Sequence, residues 1–381
     1  MADIKTHLRE ISFALKLGLL KEGKKVKDDE ILNNPQLFFK LSSSVIKNGI
    51  SSASNLLVNM FDSEQINIIK NGFKLAEVIY FSDKFPISYN DSIIWTGSDT
   101  QKDDLIDVKI GKYDFSLKED SFILENMGLY KLLNLLTDKS YVKGLHVFVE
   151  FAPDEYEEWF MYTWNKMIDY VSKHSYLYTS KDYISSIRLE NNDLIFSYKK
   201  GKEIIEKYVK KTEIKSWNDY IKQTNCKIRE KVFSKWISEI IKNDKTYRDL
   251  KSRCSNMAGK YITECIRNNL DKSHLSRLLQ IYPKSYYYAK ITKNHIFVYR
   301  IPSIKEFDFL IKINKVIYSV PESQLNIITE IQNNKTKKVL LFRNECRFSH
   351  GQFNGTPEAK LYYDKNSDLS SIYISVINRD I

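Results

Sequence analysis

The chain has 381 residues, 43% hydrophobic and 13% aromatic, with 59 Lys+Arg against 48 Asp+Glu for a net charge of +11. This length and composition suit two or three folded units and exclude a disordered tail, and no uncharged apolar run of about 18 residues is present to span a membrane. Four scattered cysteines (Cys226, Cys254, Cys265, Cys346) form no C-x-x-C pair, which argues against a disulfide scaffold or zinc ribbon and implies a reducing, cytoplasmic compartment.

The first element is an amphipathic helix over Thr6 to Leu20, with Ile11, Phe13, Ala14, Leu15, Leu17 and Leu20 on a broad apolar face. Lys16 interrupts its apolar stretch and no small-residue cleavage site follows, so it does not read as a signal peptide. A charged loop, Lys21 to Glu30, leads past Pro35 to a second helix over Leu37 to Ile46. A third runs from the Asp62-Ser63 cap signal to Phe81 and carries Glu77 among its apolar residues. Short β-branched and aromatic runs then predict strands at Ser92 to Thr96, Leu105 to Ile110 and Tyr113 to Leu117. A helix over Ile123 to Leu136 and a strand over Gly144 to Phe151 are expected next.

These elements form an αβββαβ unit of the α/β class over residues 1–152, and the Phe151-Ala152-Pro153-Asp154 sequence sets a boundary there. Residues 153–381 are expected to be a mixed helix/strand region. It has a helix over Glu155 to Val171, a hairpin over Ile184 to Tyr198, basic helices from Ser216 to Leu279, and strands over Tyr286 to Tyr299, Phe309 to Tyr318, Val339 to Phe348 and Ile372 to Ile377.

Charge divides along the same line. Residues 1–150 hold 19 Lys+Arg against 21 Asp+Glu, and residues 151–381 hold 40 against 27, giving −2 and +13. A positive field of this kind favours a polyanion, since each phosphate neutralised releases counterions; an AT-rich genome that fills solvated faces with Lys is the plain alternative.

The densest polar cluster is Gly97-Ser98-Asp99-Thr100-Gln101-Lys102-Asp103-Asp104, entering the strand at Leu105. Gly111 suits the turn of the following hairpin. Centred there, the hairpin sets Asp104 opposite Lys118, with Ser116 on the same face and Asp107 turned away. A carboxylate at a strand end can hold Mg²⁺, and a nearby lysine can orient a bound water or stabilise developing charge; the same pair could equally be a surface salt bridge.

At these residues the chain resembles the PD-(D/E)xK nuclease superfamily, the restriction-endonuclease-like fold. That family has a helix bearing an acid, an Asp opening one hairpin strand and an acidic-x-Lys triplet on the next. Glu77, Asp104 and Ser116-Leu117-Lys118 occupy those places, over about 60 to 80 residues. The resemblance implies a type II restriction enzyme using Mg²⁺ on double-stranded DNA. Asp104 and Glu77 would be metal ligands with the Leu117 carbonyl, Lys118 would position water and Ser116 would be a secondary polar contact. Ser116 stands where the family usually has Asp or Glu, which removes one carboxylate; Asp114 offers partial compensation, and Glu10 on the first helix is a weaker substitute. Gly97-Ser98 before acids also resembles nucleotidyltransferases, but Asp104 and Asp107 are spaced so that a regular strand cannot turn both to one metal.

In the basic half, Arg343, Arg347, Ser349, His350, Gln352 and Asn354 crowd a strand end and a glycine-punctuated loop. These are residue types that read base edges and phosphates, so they are the candidate DNA-binding set. The Tyr286-Tyr287-Tyr288 run could stack unpaired bases but fits strand packing better. The alternatives to a restriction enzyme are a non-catalytic DNA-binding protein and an RNA or repair nuclease on the same fold. Double-strand cleavage with one site per chain would favour a homodimer.

Overall fold

A computed structural model describes residues 4–47, 60–96, 106–118, 123–137, 139–142, 146–355, 357–363 and 373–380. Helix α1 (Ile4–Lys21) packs along α4 (Ser63–Tyr80), with the short α2 (Asp28–Leu32) and α3 (Pro35–Val45) between them in sequence. Asp62 caps α4 through a capping box with Gln65. Contacts run in the same order along α1 and α4, from Lys5 with Glu64 to Lys16 with Glu77, so the two helices are parallel. They approach closely at Gly72, where an added Cβ would lie 1.9 Å from Ser12 Oγ and 3.0 Å from the Arg9 carbonyl oxygen.

The helices cover one face of a six-stranded sheet ordered β1-β2-β3-β9-β10-β15. Strands β1 (Ile93–Trp95), β2 (Val108–Ile110) and β3 (Tyr113–Lys118) form an antiparallel meander. Strand β9 (Tyr286–Ile291) joins β3 in parallel, and β10 (His295–Ile301) and β15 (Ile374–Asp380) complete the sheet antiparallel. Phe13, Ile69, Phe73, Phe115, Leu117, Ala289 and Val298 belong to the core on the α1/α4 side.

The opposite face of this sheet carries Ser116, Lys118, Tyr286 and Tyr288 and adjoins a second, larger core. That core gathers α5 (Leu129–Leu136), α6 (Val147–Phe151), α7 (Pro153–Val171), an interrupted helix over residues 226–241, and a long helix, Lys245–Asn269. It also takes the inner faces of two further sheets. One is the antiparallel meander β5 (Tyr176–Thr179), β6 (Ile184–Glu190), β7 (Asp193–Lys200) and β8 (Glu203–Lys210). The other is ordered β11-β12-β13-β14-β4, from β11 (Ile311–Ser319), β12 (Asn326–Asn333), β13 (Val339–Arg347), β14 (Glu358–Tyr363) and β4 (Ile123–Gly128). The architecture is mixed α/β. Among the described residues no helix is long and apolar enough to cross a membrane.

Two of the elements that differ from the sequence expectation bear on how the sheets are built. Residues 123–128 form a strand instead of the first half of a helix, because they pair with β14, more than two hundred residues away, and Gly128 then starts the shorter helix α5. Val147–Phe151 is one helical turn and not a strand; a short buried apolar run fits either state until its neighbours decide. The strand that closes the meander in parallel is β9, and among the described residues 146–151 no strand does so. Ala152, at the expected boundary, is fully buried in the second core between α6 and α7, and residues 289–298 return to the first core.

Candidate active site

The meander's register differs from the one expected. Val108 pairs with Phe115, Lys109 with Asp114 and Ile110 with Tyr113, a slip of one residue. Such a slip exchanges the two faces of a strand. The Asp107 N–H also donates to the Phe115 carbonyl (2.8 Å), so residues 107 and 108 both address Phe115 in the manner of a β-bulge, a device that re-aims side chains at sheet ends. The Asp107 carboxylate consequently faces β3: its Oδ2 accepts from the Leu117 N–H at 2.6 Å and from Ser116 Oγ at 3.4 Å. Asp107 was expected to point away; among the described residues it is the carboxylate the hairpin turns toward Ser116 and Leu117. Asp104 lies outside the described residues.

The second acid comes from α1. Glu10 is 3% exposed, accepts from Trp95 Nε1 at 2.8 Å and has His7 Nδ1 at 3.9 Å. Burial pushes its carboxyl up to about 8, helped by the negative charge of Asp107 and opposed by the Trp95 hydrogen bond, Arg9 and Lys118. Burial likewise raises Asp107, against the pull of Lys118, the Leu117 N–H, Arg9 and Ser116. Two acids that repel one another thus share one end of the sheet with Arg9 and Lys118. Tyr286 also lies within the field of Asp107. This is the end at which both parallel strands, β3 and β9, terminate, the usual position of ligand sites in sheets with parallel strands.

Glu77, expected as the helical acid, does not join this group. It is half-exposed and pairs with Lys16 at 2.8 Å, six residues or about 9 Å along α1 from Glu10. Ser116 and Lys118 share one face of β3, as expected, with Ser116 buried; the described carboxylate that addresses that face is Asp107, which was expected to point away. Leu117, whose carbonyl was the expected ligand, contributes its N–H to Asp107. Glu10 carried a signal in the sequence: it interrupts the apolar positions of α1 between Leu8 and Ile11, where a carboxylate persists only with polar partners.

Two buried carboxylates with mutual repulsion suit a hard divalent cation. Mg²⁺ binds through one or two carboxylates and completes its shell with water and phosphate oxygens. Glu10 and Asp107 are two such carboxylates. Among the described residues no cluster of three or more His, Cys, Asp or Glu is placed to hold a metal ion.

The candidate DNA-binding residues divide into an exposed set and a structural set. Arg343 and Arg347 project from one face of β13. Arg343 lies over the Tyr362 ring (4.8 Å) and donates to Asn326 Oδ1, and Arg347 pairs with Glu345 at 2.8 Å. Ser349 donates to Glu358, and the exposed His350 stands 3.8 Å from both Glu230 and Glu358. Asn354 is buried: it accepts from Arg229 Nε and donates to the His350 carbonyl, tying the loop to the helix over residues 226–241. The Gln352 carbonyl accepts from Ser234 Oγ on the same helix. Phe353, at a φ of 60°, is driven into the Trp159 and Phe160 cluster. Tyr286 and Tyr288 are buried strand residues and Tyr287 packs on Phe85 and Phe115, which accounts for the tyrosine run by packing.

No protein-family model, curated protein or solved structure matches this chain significantly. Its class therefore rests on its own architecture, a mixed α/β protein with an acid-and-lysine cluster at the end of its six-stranded sheet.

Proposed function

We propose that this protein is a Mg²⁺-dependent endodeoxyribonuclease of restriction-endonuclease type acting on double-stranded DNA. The observation that carries the reading is the buried Glu10–Asp107 pair set with Lys118 at the end of a meander whose third strand runs parallel to β9. An acid-bearing helix followed by a hairpin with the lysine triplet is also the order in the PD-(D/E)xK family that the Ser116-Leu117-Lys118 triplet resembles. The +13 charge of residues 151–381 and the exposed Arg343, Arg347 and His350 supply a surface for the phosphate backbone.

In this reading Glu10 and Asp107 would hold the cation, which would supply polarisation of a phosphoryl oxygen and a lowered pKa for water. The Leu117 N–H and Ser116 hydroxyl fix the Asp107 carboxylate, and Trp95 Nε1 fixes Glu10, so neither has to reorganise when substrate arrives. The Lys118 ammonium stands beside these acids to orient the attacking water and offset charge on the phosphate.

The test is incubation of purified protein with plasmid and Mg²⁺, followed by sequencing of the ends, with RNA and branched DNA in parallel. Wild type should give discrete DNA ends, and Asp107→Asn or Lys118→Met should lower cleavage by about 10²–10³-fold while duplex binding in EDTA persists. Asp104→Ala run alongside assigns or removes that residue. Undiminished cleavage by the Asp107 and Lys118 variants would refute the reading, and preferential cutting of RNA or branched DNA would reassign the substrate.

A further inference from the structure

The parallel pairing of β3 with β9 places Lys290 directly beside Lys118, although 172 positions separate them in the chain. Neighbouring strands lie about 4.8 Å apart and in-register residues share a face, so both lysines stand on the face that carries Ser116 and Asp107. Lys290 is only 4% exposed, and its Nζ donates to the Tyr363 hydroxyl at 3.3 Å. Lysine is almost never this buried in a core without a specific partner, and an apolar residue here would carry no desolvation cost. Tyr363 ends β14, the neighbour of the strand bearing Arg343 and Arg347.

We propose that Lys290 is a second cation of the active site, held by Tyr363 so that its ammonium contacts the phosphate addressed by Lys118; this rests on the hydrolase reading above. In hydrolysis a water oxygen forms a bond to phosphorus, the bond to the departing strand's oxygen breaks, and the water's proton ends on that oxygen. Negative charge gathers on the non-bridging phosphate oxygens at the transition state, and a fixed ammonium there lowers the barrier without reorganising. The contact strengthens as charge accumulates, so its loss lowers kcat more than it raises KM.

The experiment compares wild type, Lys290→Met, Lys290→Arg, Tyr363→Phe and Asp107→Asn, all full chains. Plasmid with Mg²⁺ measures cleavage, a labelled duplex with Ca²⁺ measures binding, and a thermal melt monitors folding. Lys290→Met should lose about 100-fold in kcat with KM within about threefold, Lys290→Arg should recover part of the loss, and Tyr363→Phe should lose about three- to tenfold. If Lys290→Met fails to fold, Tyr363→Phe decides, since it keeps the ammonium and removes only its hydroxyl anchor; an unchanged kcat overturns the proposal. Full activity of Lys290→Met beside an inactive Asp107→Asn overturns the role of Lys290 and leaves the hydrolase reading standing. Absence of any metal-dependent cleavage by wild type overturns both.

Discussion

Replacing Glu10 with Gln isolates the electrostatic cost of the acid pair. The Glu10 carboxyl rises from an ordinary 4.5 to about 8, first through burial and then through Asp107. At about 1.4 kcal/mol per pH unit, holding it ionised in the folded protein costs at most about 5 kcal/mol, a large share of a typical domain's stability. The folded state binds this proton more tightly than the unfolded state does. The stabilising contribution is therefore complete below about pH 4.5 and lost as pH rises through about 8, and Asp107 acts with the same sign. Gln retains an oxygen to accept from Trp95 Nε1 and carries no charge at any pH. Urea unfolding at pH 6 and pH 9 should show wild type losing about 3 kcal/mol more than Glu10→Gln over that interval. Saturating Mg²⁺ should restore wild type at pH 9, by about 2.7 kcal/mol at a hundredfold excess over Kd, and leave Glu10→Gln nearly unchanged. Equal pH dependence in the two proteins, or equal stabilisation by Mg²⁺, would refute the acid-pair argument.

Cation binding requires both acids deprotonated, so at limiting Mg²⁺ cleavage should climb with pH toward about 8, and the rise should move to lower pH as Mg²⁺ increases, as read from initial rates across a pH series. Gly72→Ala should destabilise by about 1–3 kcal/mol in chemical melts, since its methyl group would intrude on Ser12 and the Arg9 carbonyl where α1 meets α4. Phe353→Ala should cost about 3–5 kcal/mol, because the ring is fully buried against Trp159, Phe160 and Tyr156. Arg343→Ala combined with Arg347→Ala should weaken duplex binding and flatten its dependence on salt by close to two phosphate contacts in a titration series, with folding unchanged.

Local signals in the sequence determined much of this protein. The periodicity of α1 and α4, the Asp62 cap, the Gly111 turn at a φ of 53° and the strands on either side all follow from side-chain spacing and backbone preference. Ser116 and Lys118 were legible as one face of a strand for the same reason. What local spacing cannot settle is a choice between nearly equal alternatives. One residue of slip at the hairpin turns Asp107, expected to point away, toward Ser116 and Leu117. Glu10 and Glu77 are both acids on amphipathic helices, and only the packing of α1 against Trp95 buries the first while the second pairs with Lys16 near the surface. Residues 123–128 become a strand because β14 offers them backbone partners from the far end of the chain, and the fourth strand of the meander arrives at residue 286 after a long crossover. Lys290 joins Lys118 through that crossover alone. Spacing along one element placed the triplet; long-range strand pairing and helix packing decided which acids and which second lysine stand beside it.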